Sequence, residues 1–151
     1  MSGAFYNLNP INPGNDPNQI GYIQNWNLGT GETINVPTNQ ESYKVLTLNP
    51  GVWIINASIY MTVVNNGYIN NCQLNIGPQT GAWNQSDGFY FGNNTNGIQA
   101  CSLNVSTYQY LSSQTDIYIY YSAINTNTGS IIQIQNSSSG QNTIVTATRI
   151  A

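Results

Sequence analysis

The chain has 151 residues, of which only 5% are charged, against roughly 25% in ordinary soluble domains. Two cations against five acids give a net charge of −3, so we expect no basic surface for nucleic acid or anionic membranes. Because 40% of the residues are hydrophobic, the chain can bury the core of one domain. We therefore expect one folded domain with an almost uncharged surface, which binds no nucleic acid and inserts into no membrane.

The first residues are rich in Asn, Pro and Gly, a composition typical of irregular chain. We predict an extended N-terminal arm over residues 1–19 and a folded domain over residues 20–151. The opening sequence MSGAFYNLNP has neither a cationic segment nor an apolar run, so it predicts no signal peptide. If the protein works outside a cell, we expect it to leave by another route, such as inside a particle released by lysis.

Short β-strand patterns separated by Gly, Asn and Pro turns follow one another to the end of the chain. No stretch shows the period of a helix. The interpretation is an all-β fold of eight to ten strands, which is a sandwich or a barrel. The antiparallel alternation fits a jelly roll, a sandwich of two antiparallel sheets. We predict strands at residues 20–26, 33–36, 43–48, 51–64, 68–76, 98–111, 116–124, 131–134 and 143–150, and a short one at 88–92.

Residues 51–64, GVWIINASIYMTVV, form the longest apolar run of the chain and are rich in β-branched residues. Odd positions from Trp53 to Val63 are all apolar, whereas the even positions are mixed. This alternation predicts a central strand with one face packed on the core and the other face only partly exposed to solvent.

Residues 116–124, DIYIYYSAI, are apolar or aromatic on both alternating faces. A two-sheet sandwich covers only one face of each strand, so something else must cover the second. Tyr is enriched at subunit contacts because its ring is buried while its hydroxyl finds a partner. We therefore predict a subunit interface; the alternative is a row of exposed tyrosines on a twisted sheet. The interface candidates from both strands are Val52, Ile54, Tyr60, Tyr118, Tyr120 and Ile124.

Residues 77–97 show no regular period, and loops of this length are often functional. They set aromatic rings beside neutral amides, a combination that suits a sugar ring, which stacks on aromatics and hydrogen-bonds through its hydroxyls. Asp87 is a candidate calcium or sugar ligand, and the alternative is a solvated loop residue. The aromatics also fit a loop that packs over the sheet edge. The candidate ligand-binding residues are Trp83, Asp87, Phe89, Tyr90, Asn93 and Asn94.

The chain lacks histidine, which excludes Ser-His-Asp and Cys-His catalysis and most zinc motifs. Its carboxylates are scattered, and no Gly-rich phosphate loop opens a helix. We therefore expect no catalytic residue, no metal and no cofactor, in a protein that is not an enzyme. Cys72 and Cys101 fall on the apolar faces of their strands and should be buried; a disulfide between neighbouring strands is the alternative.

The order of these landmarks resembles the tumour-necrosis-factor-like (TNF-like) jelly roll and the related C1q-like globular head of complement component one. The resemblance covers residues 20–151 and rests on the start Gly51-Val52-Trp53-Ile54, the later strands, the turn with Asp116 and the terminal strand. The closing TATRIA and the phrase LTLNPGVWIINASI are similar to versions of this domain in large DNA viruses and phage fibres.

The resemblance implies a ten-stranded sandwich that assembles as a compact homotrimer. In that family one sheet surrounds the three-fold axis, and residues 51–64 and 116–124 would both lie in it. The leading hypothesis is a non-enzymatic virion protein, a surface, capsid or fibre-head component assembled in the host cytoplasm with other virion proteins. It would display loops to a host-surface glycan or receptor. The alternative is a secreted, extracellular binding protein of lectin-like or cytokine-like type.

Overall fold

A computed structural model of the chain describes residues 16–65, 67–78, 89–90, 99–125, 130–136, 140 and 142–151. All the secondary-structure elements in these residues are β-strands. The described residues contain no helix that is long and apolar enough to cross a membrane. The ten strands of the described chain are β1 (Ile23–Asn27), β2 (Thr33–Val36), β3 (Glu41–Leu48), β4 (Gly51–Val64), β5 (Ile69–Pro78), β6 (Phe89–Tyr90), β7 (Ala100–Leu111), β8 (Thr115–Asn125), β9 (Ile131–Gln135) and β10 (Ile144–Arg149).

The predicted strands agree with these bounds to within a few residues, and β2 and β4 have the predicted ends. β1 begins later than predicted because Gly21 takes a positive φ of 86° in the preceding turn, which breaks the extended chain. The short strand predicted inside residues 88–92 is β6. Of the predicted N-terminal arm, only residues 16–19 are described, and they lead into this turn.

The strands form two antiparallel sheets. In the six-stranded sheet β4 is central: β10 and β9 follow each other along one of its edges, and β7 pairs with the other edge. β1 lies beyond β10, and β2 lies beyond β9. The four-stranded sheet has the order β3-β8-β5-β6. Pairing of strands that are far apart in sequence, such as β4 with β10, is typical of a jelly roll.

One apolar core lies between the two sheets. The odd positions of β4 point into it, and Trp53, Ile59 and Met61 have no exposed surface. Leu74 and Ile119 of the opposite sheet are equally buried. Complete burial of a side chain of this size contributes about 1.5–3 kcal/mol. The alternation of apolar residues in β4 is therefore confirmed as the inner face of a central strand.

The hydroxyl of Thr143 fills a gap in the backbone ladder of β4. The neighbour of β4 changes from β10, which pairs up to Ser58, to β9, which begins at Met61. Between them, the Tyr60 amide donates to the Thr143 Oγ1 atom at 3.1 Å, and this hydroxyl donates to the Gln135 carbonyl at 2.9 Å. Because Thr143 is fully buried, no water can take over these two hydrogen bonds.

Glycine is required at the start of β4. Gly51 has a φ of 150°, and a Cβ atom there would lie 2.7 Å from the Arg149 Cζ atom. That guanidinium lies 5.9 Å from the centroid of the Trp53 ring, and its Nη1 atom donates to the Pro17 carbonyl at 3.2 Å. Arg149 therefore connects the last strand to the residues that precede β1.

β8 lies in the four-stranded sheet, between β3 and β5. The expectation that residues 51–64 and 116–124 share one sheet is therefore wrong. Alternation shows which face of a strand is buried, but the inner faces of the two sheets of a sandwich have the same pattern. On β8, Ile119 and Tyr121 face the core, whereas Tyr118 and Tyr120 face outward.

Candidate interaction surfaces

The outward face of the six-stranded sheet has no charged residue at any strand position that the structure describes. On β4 these positions are the even-numbered residues from 52 to 64, and on β7 those from 100 to 110. Charged residues are depleted at the centres of protein interfaces, so this face suits contact with another protein. The outward positions of the other four strands are Ile23, Asn25, Asn27, Thr33, Asn35, Ile131, Gln133, Gln135, Ile144, Thr146 and Thr148.

An apolar band crosses this face over four neighbouring strands. Its members, each directly opposite the next, are Tyr108 of β7, Ile54 of β4, Thr148 of β10 and Ile23 of β1. Tyr108 is 63% exposed, Ile54 37% and Ile23 49%. Tyr110, which is 73% exposed, lies next to the band on β7. Thr148 interrupts this row with a hydroxyl. Single exposed apolar residues are ordinary on a protein surface, but four of them on neighbouring strands are typical of an interaction site.

Beside the apolar band, this face carries neutral polar side chains together with Ile144. The Ser106 hydroxyl donates to the Asn56 Oδ1 atom at 2.7 Å across β4 and β7. These residues, with Asn104 and Thr146, border a shallow depression of about 310 Å³. Such side chains hydrogen-bond equally well to water or to a partner, and they bring no charge that would have to be desolvated.

Three of the six predicted interface residues lie on this face. Ile54 belongs to the apolar band, and Val52 and Tyr60 lie on the same strand but are half-buried. The sequence argument missed Tyr108 and Tyr110, although the signal was present. Buried apolar residues occupy the odd positions of β7 from 101 to 105, and the same alternation places residues 108 and 110 on the outward face.

The other three predicted interface residues, Tyr118, Tyr120 and Ile124, lie on the opposite side of the molecule. Tyr120 already has partners within the chain: its hydroxyl donates to the Pro78 carbonyl at 3.1 Å, and its ring lies 6.3 Å from that of Tyr118. Burial, together with Tyr118, raises the pKa of Tyr120. The six candidates therefore do not form one patch, because the two outer faces of the sandwich point away from each other.

The outward face of the four-stranded sheet also carries an ion pair. The Lys44 Nζ atom lies 2.8 Å from the Asp116 Oδ1 atom, to which the Thr47 hydroxyl donates at 2.7 Å. The hydrogen bond from Lys44, and then that from Thr47, lower the pKa of Asp116 below its ordinary value. Asp116 therefore links β8 to β3. An interface built on this face would have to desolvate both charges, which makes it the less suitable of the two faces.

The candidate ligand-binding residues lie almost entirely outside the described residues. Phe89 and Tyr90 are described only as the backbone of β6, which pairs with Gln73 and Leu74 of β5. A sugar site that includes Trp83, Asp87, Asn93 and Asn94 therefore stays a prediction from the sequence. Within the described part of the chain, no three His, Cys, Asp or Glu side chains are grouped as a metal site would require.

No protein-family model matches the chain, and no curated protein sequence matches it. Among solved structures, the Eiger TNF from S. frugiperda superposes with a TM-score of 0.50 at 10% sequence identity, covering 88% of this chain and 94% of that chain. The structure of infectious bursal disease virus Gt strain gives a TM-score of 0.36 at 9% identity, covering 87% of this chain and 38% of that chain. At such identities the first likeness defines the fold alone, which is an all-β, TNF-like jelly-roll sandwich.

Proposed function

We propose that this protein is a non-enzymatic, homotrimeric jelly-roll head at the surface of a virus particle, which displays loops toward a host glycan or receptor. The observation that carries the proposal is the uncharged outward face of the six-stranded sheet, crossed by the apolar band. The proposal includes assembly with other virion proteins in the host cytoplasm, before the particle is released.

Charge favours this face for contact between copies. A symmetric assembly brings the same surface of every copy around a shared axis, so like charges on that surface come close together. The chain has five acids and only two cations, and a contact face that carried carboxylates would repel its neighbours. The outward strand positions of the six-stranded sheet that are described carry none, so copies can meet there without desolvating a charge.

The energy available from this face is of the size that an assembly needs. Apolar area removed from water contributes about 25 cal/mol per Å², and a Tyr side chain buries roughly 150–250 Å². Tyr108 and Tyr110 are still mostly exposed, so covering each contributes about 2–4 kcal/mol. Association costs about 4–15 kcal/mol in lost motional freedom, so the two tyrosines need Ile54 and Ile23 beside them.

The attachment role is supported by the composition of the segment that connects β5 to β7. This segment leaves β5 after Pro78 and enters β7 at Ala100, and it contains all six candidate ligand-binding residues. Aromatic rings beside neutral amides suit a sugar. The absence of histidine and the scattered carboxylates support a binding role over a catalytic one.

Light scattering at micromolar concentration tests the assembly face. Ile54→Asp places a carboxylate in the apolar band and should convert the trimer to a folded monomer. Ile124→Asp is the matched control, because it places the same charge on an exposed isoleucine of the other sheet and should leave the trimer intact. An Ile54→Asp protein that stays trimeric would contradict the proposed face.

A glycan array probed with the wild type and with Trp83→Ala tests attachment. The wild type should bind one class of sugar, and Trp83→Ala should lose that binding. Tyr68→Ala, which removes an exposed ring outside the segment between β5 and β7, should keep it. A wild-type protein that binds no sugar would count against glycan attachment.

A secreted binding protein is the second candidate function, and the likeness in fold and length to the Eiger TNF favours it. Labelled protein can be applied to cells that have been treated with glycosidase or with protease. Binding that is lost only after glycosidase treatment supports attachment to a glycan. Binding that is lost only after protease treatment supports a protein receptor, which the cytokine-like form of the second candidate requires.

A further inference from the structure

The two cysteines meet across the core from opposite sheets. Cys72 lies on β5 and Cys101 on β7, and their Sγ atoms are 3.8 Å apart. The two side chains are 0% and 8% exposed, and both thiols are free. Since a disulfide needs about 2.05 Å between its sulfurs, bonding requires a further approach of about 1.8 Å.

The pair lies where β7, at one edge of the six-stranded sheet, faces β5 of the opposite sheet. Among the described residues β7 pairs with β4 alone, and β6 pairs with β5 over two residues. Contacts between β5 and β7 therefore hold the two sheets together at this edge. Residues 73–100, which separate the cysteines, contain the whole segment in which the sugar-binding residues are predicted.

We propose that Cys72 and Cys101 are a dithiol–disulfide site, at which a bond between the two sulfurs joins the sheets when the chain meets a small disulfide such as oxidised glutathione. The two thiols lose two electrons and two protons, and the oxidant takes up both and becomes two small thiols. One protein dithiol and one small disulfide thus give one protein disulfide and two small thiols. The site does not depend on the proposed assembly.

Cys101 meets the oxidant first, because it keeps some exposure and lies on an edge strand. Its thiolate attacks one sulfur of the oxidant and releases the first small thiol. The hydrogen bond between the two thiols lowers the pKa of Cys101 against the effect of burial, whereas the same bond and burial raise the pKa of Cys72. Cys72 then attacks the Cys101 sulfur of the mixed disulfide, and its proton leaves with the second small thiol.

The bond closes a ring of about 30 residues. Restricting the unfolded chain in this way should raise the melting temperature, Tm, of a domain of this size by about 10 °C. The bond also fixes the two ends of the segment between β5 and β7 relative to each other.

Mass spectrometry after alkylation tests the proposal. The reduced, folded protein is incubated with oxidised glutathione and then denatured in iodoacetamide. The wild type should lose about 2 Da, the mass of two hydrogens, take up no alkyl group, and melt about 10 °C above the reduced form. Two alkyl groups, a stable adduct with glutathione or a covalent dimer would each overturn the proposal.

Cys72→Ala and Cys101→Ala provide the controls, since each removes one sulfur and little volume. In both variants Tm should no longer respond to the oxidant. A Tm that rises as much in either variant as in the wild type would mean that another group is responsible and would overturn the site. If a variant fails to fold, the mass of the oxidised wild type still decides the question.

Discussion

Ile54 on β4 lies directly opposite Tyr108 on β7, and both side chains are exposed on a face that is uncharged at its described strand positions. One residue away on β4, Ile55 lies opposite Thr107, and both of these are buried. The same pair of strands thus builds the core on one side and, in the proposed assembly, a subunit contact on the other. This double role accounts for the apolar odd positions and mixed even positions of β4.

Ile59→Asp should abolish folding. The Ile59 side chain has no exposed surface, so the variant would bury a carboxylate in the apolar core. The cost of desolvating it is comparable with the whole stability of a domain, about 5–15 kcal/mol. Circular dichroism should show loss of the β-sheet signal. Ile54→Asp, on the outward face of the same strand, should keep that signal, and a folded Ile59→Asp protein would contradict the assigned core.

Thr143→Val should lower the free energy of unfolding by about 2–4 kcal/mol. The substitution keeps the volume but removes the partner of two buried backbone groups, the Tyr60 amide and the Gln135 carbonyl. Urea unfolding at a fixed protein concentration measures the change. Thr146→Val, at an outward position of β10, is the control and should change stability by less than about 0.5 kcal/mol. Equal losses in the two variants would show that the Thr143 hydroxyl contributes no special stabilisation to β4 between β10 and β9.

Tyr120→Phe should reduce stability by about 0.5–1.5 kcal/mol without changing the oligomeric state. It removes the hydrogen bond donated to the Pro78 carbonyl, and Tyr120 lies on the sheet opposite the apolar band. Tyr68→Phe is the control, because the Tyr68 side chain is exposed and lies in none of the strands that form the two outward faces. Urea unfolding and light scattering give the two readouts. If Tyr120→Phe dissociates the assembly, the subunit contact must lie on the four-stranded sheet, which would contradict the proposed face.

Tyr121 should make the folded state less stable at alkaline pH. Burial, with Glu41 and Tyr43 nearby, raises the pKa of Tyr121 to about 12, whereas an unfolded tyrosine ionises near pH 10. The unfolded state therefore releases this proton first, and the stabilisation present below about pH 10 is lost as the pH rises toward 12. Urea midpoints between about pH 9 and 11.5 should fall less steeply in Tyr121→Phe than in the wild type. Equal slopes would contradict the assigned pKa.

Alternation along single strands was sufficient to predict the strand positions and the inner face of β4, because a strand has only two faces and burial selects one. The sheet to which β8 belongs could not be predicted in this way. It depends on pairing with β3 and β5, which are distant in sequence, and the family resemblance placed β8 in the same sheet as β4 instead. The contact between Cys72 and Cys101 could not be predicted from alternation either, since their strands lie in different sheets.

The mass of the wild-type protein in solution tests the central claim most directly. Light scattering at micromolar concentration and physiological salt should give three times the mass of one chain, because the uncharged face with Ile54 and Tyr108 then lies between subunits. A mass equal to that of a single chain under these conditions would contradict the account.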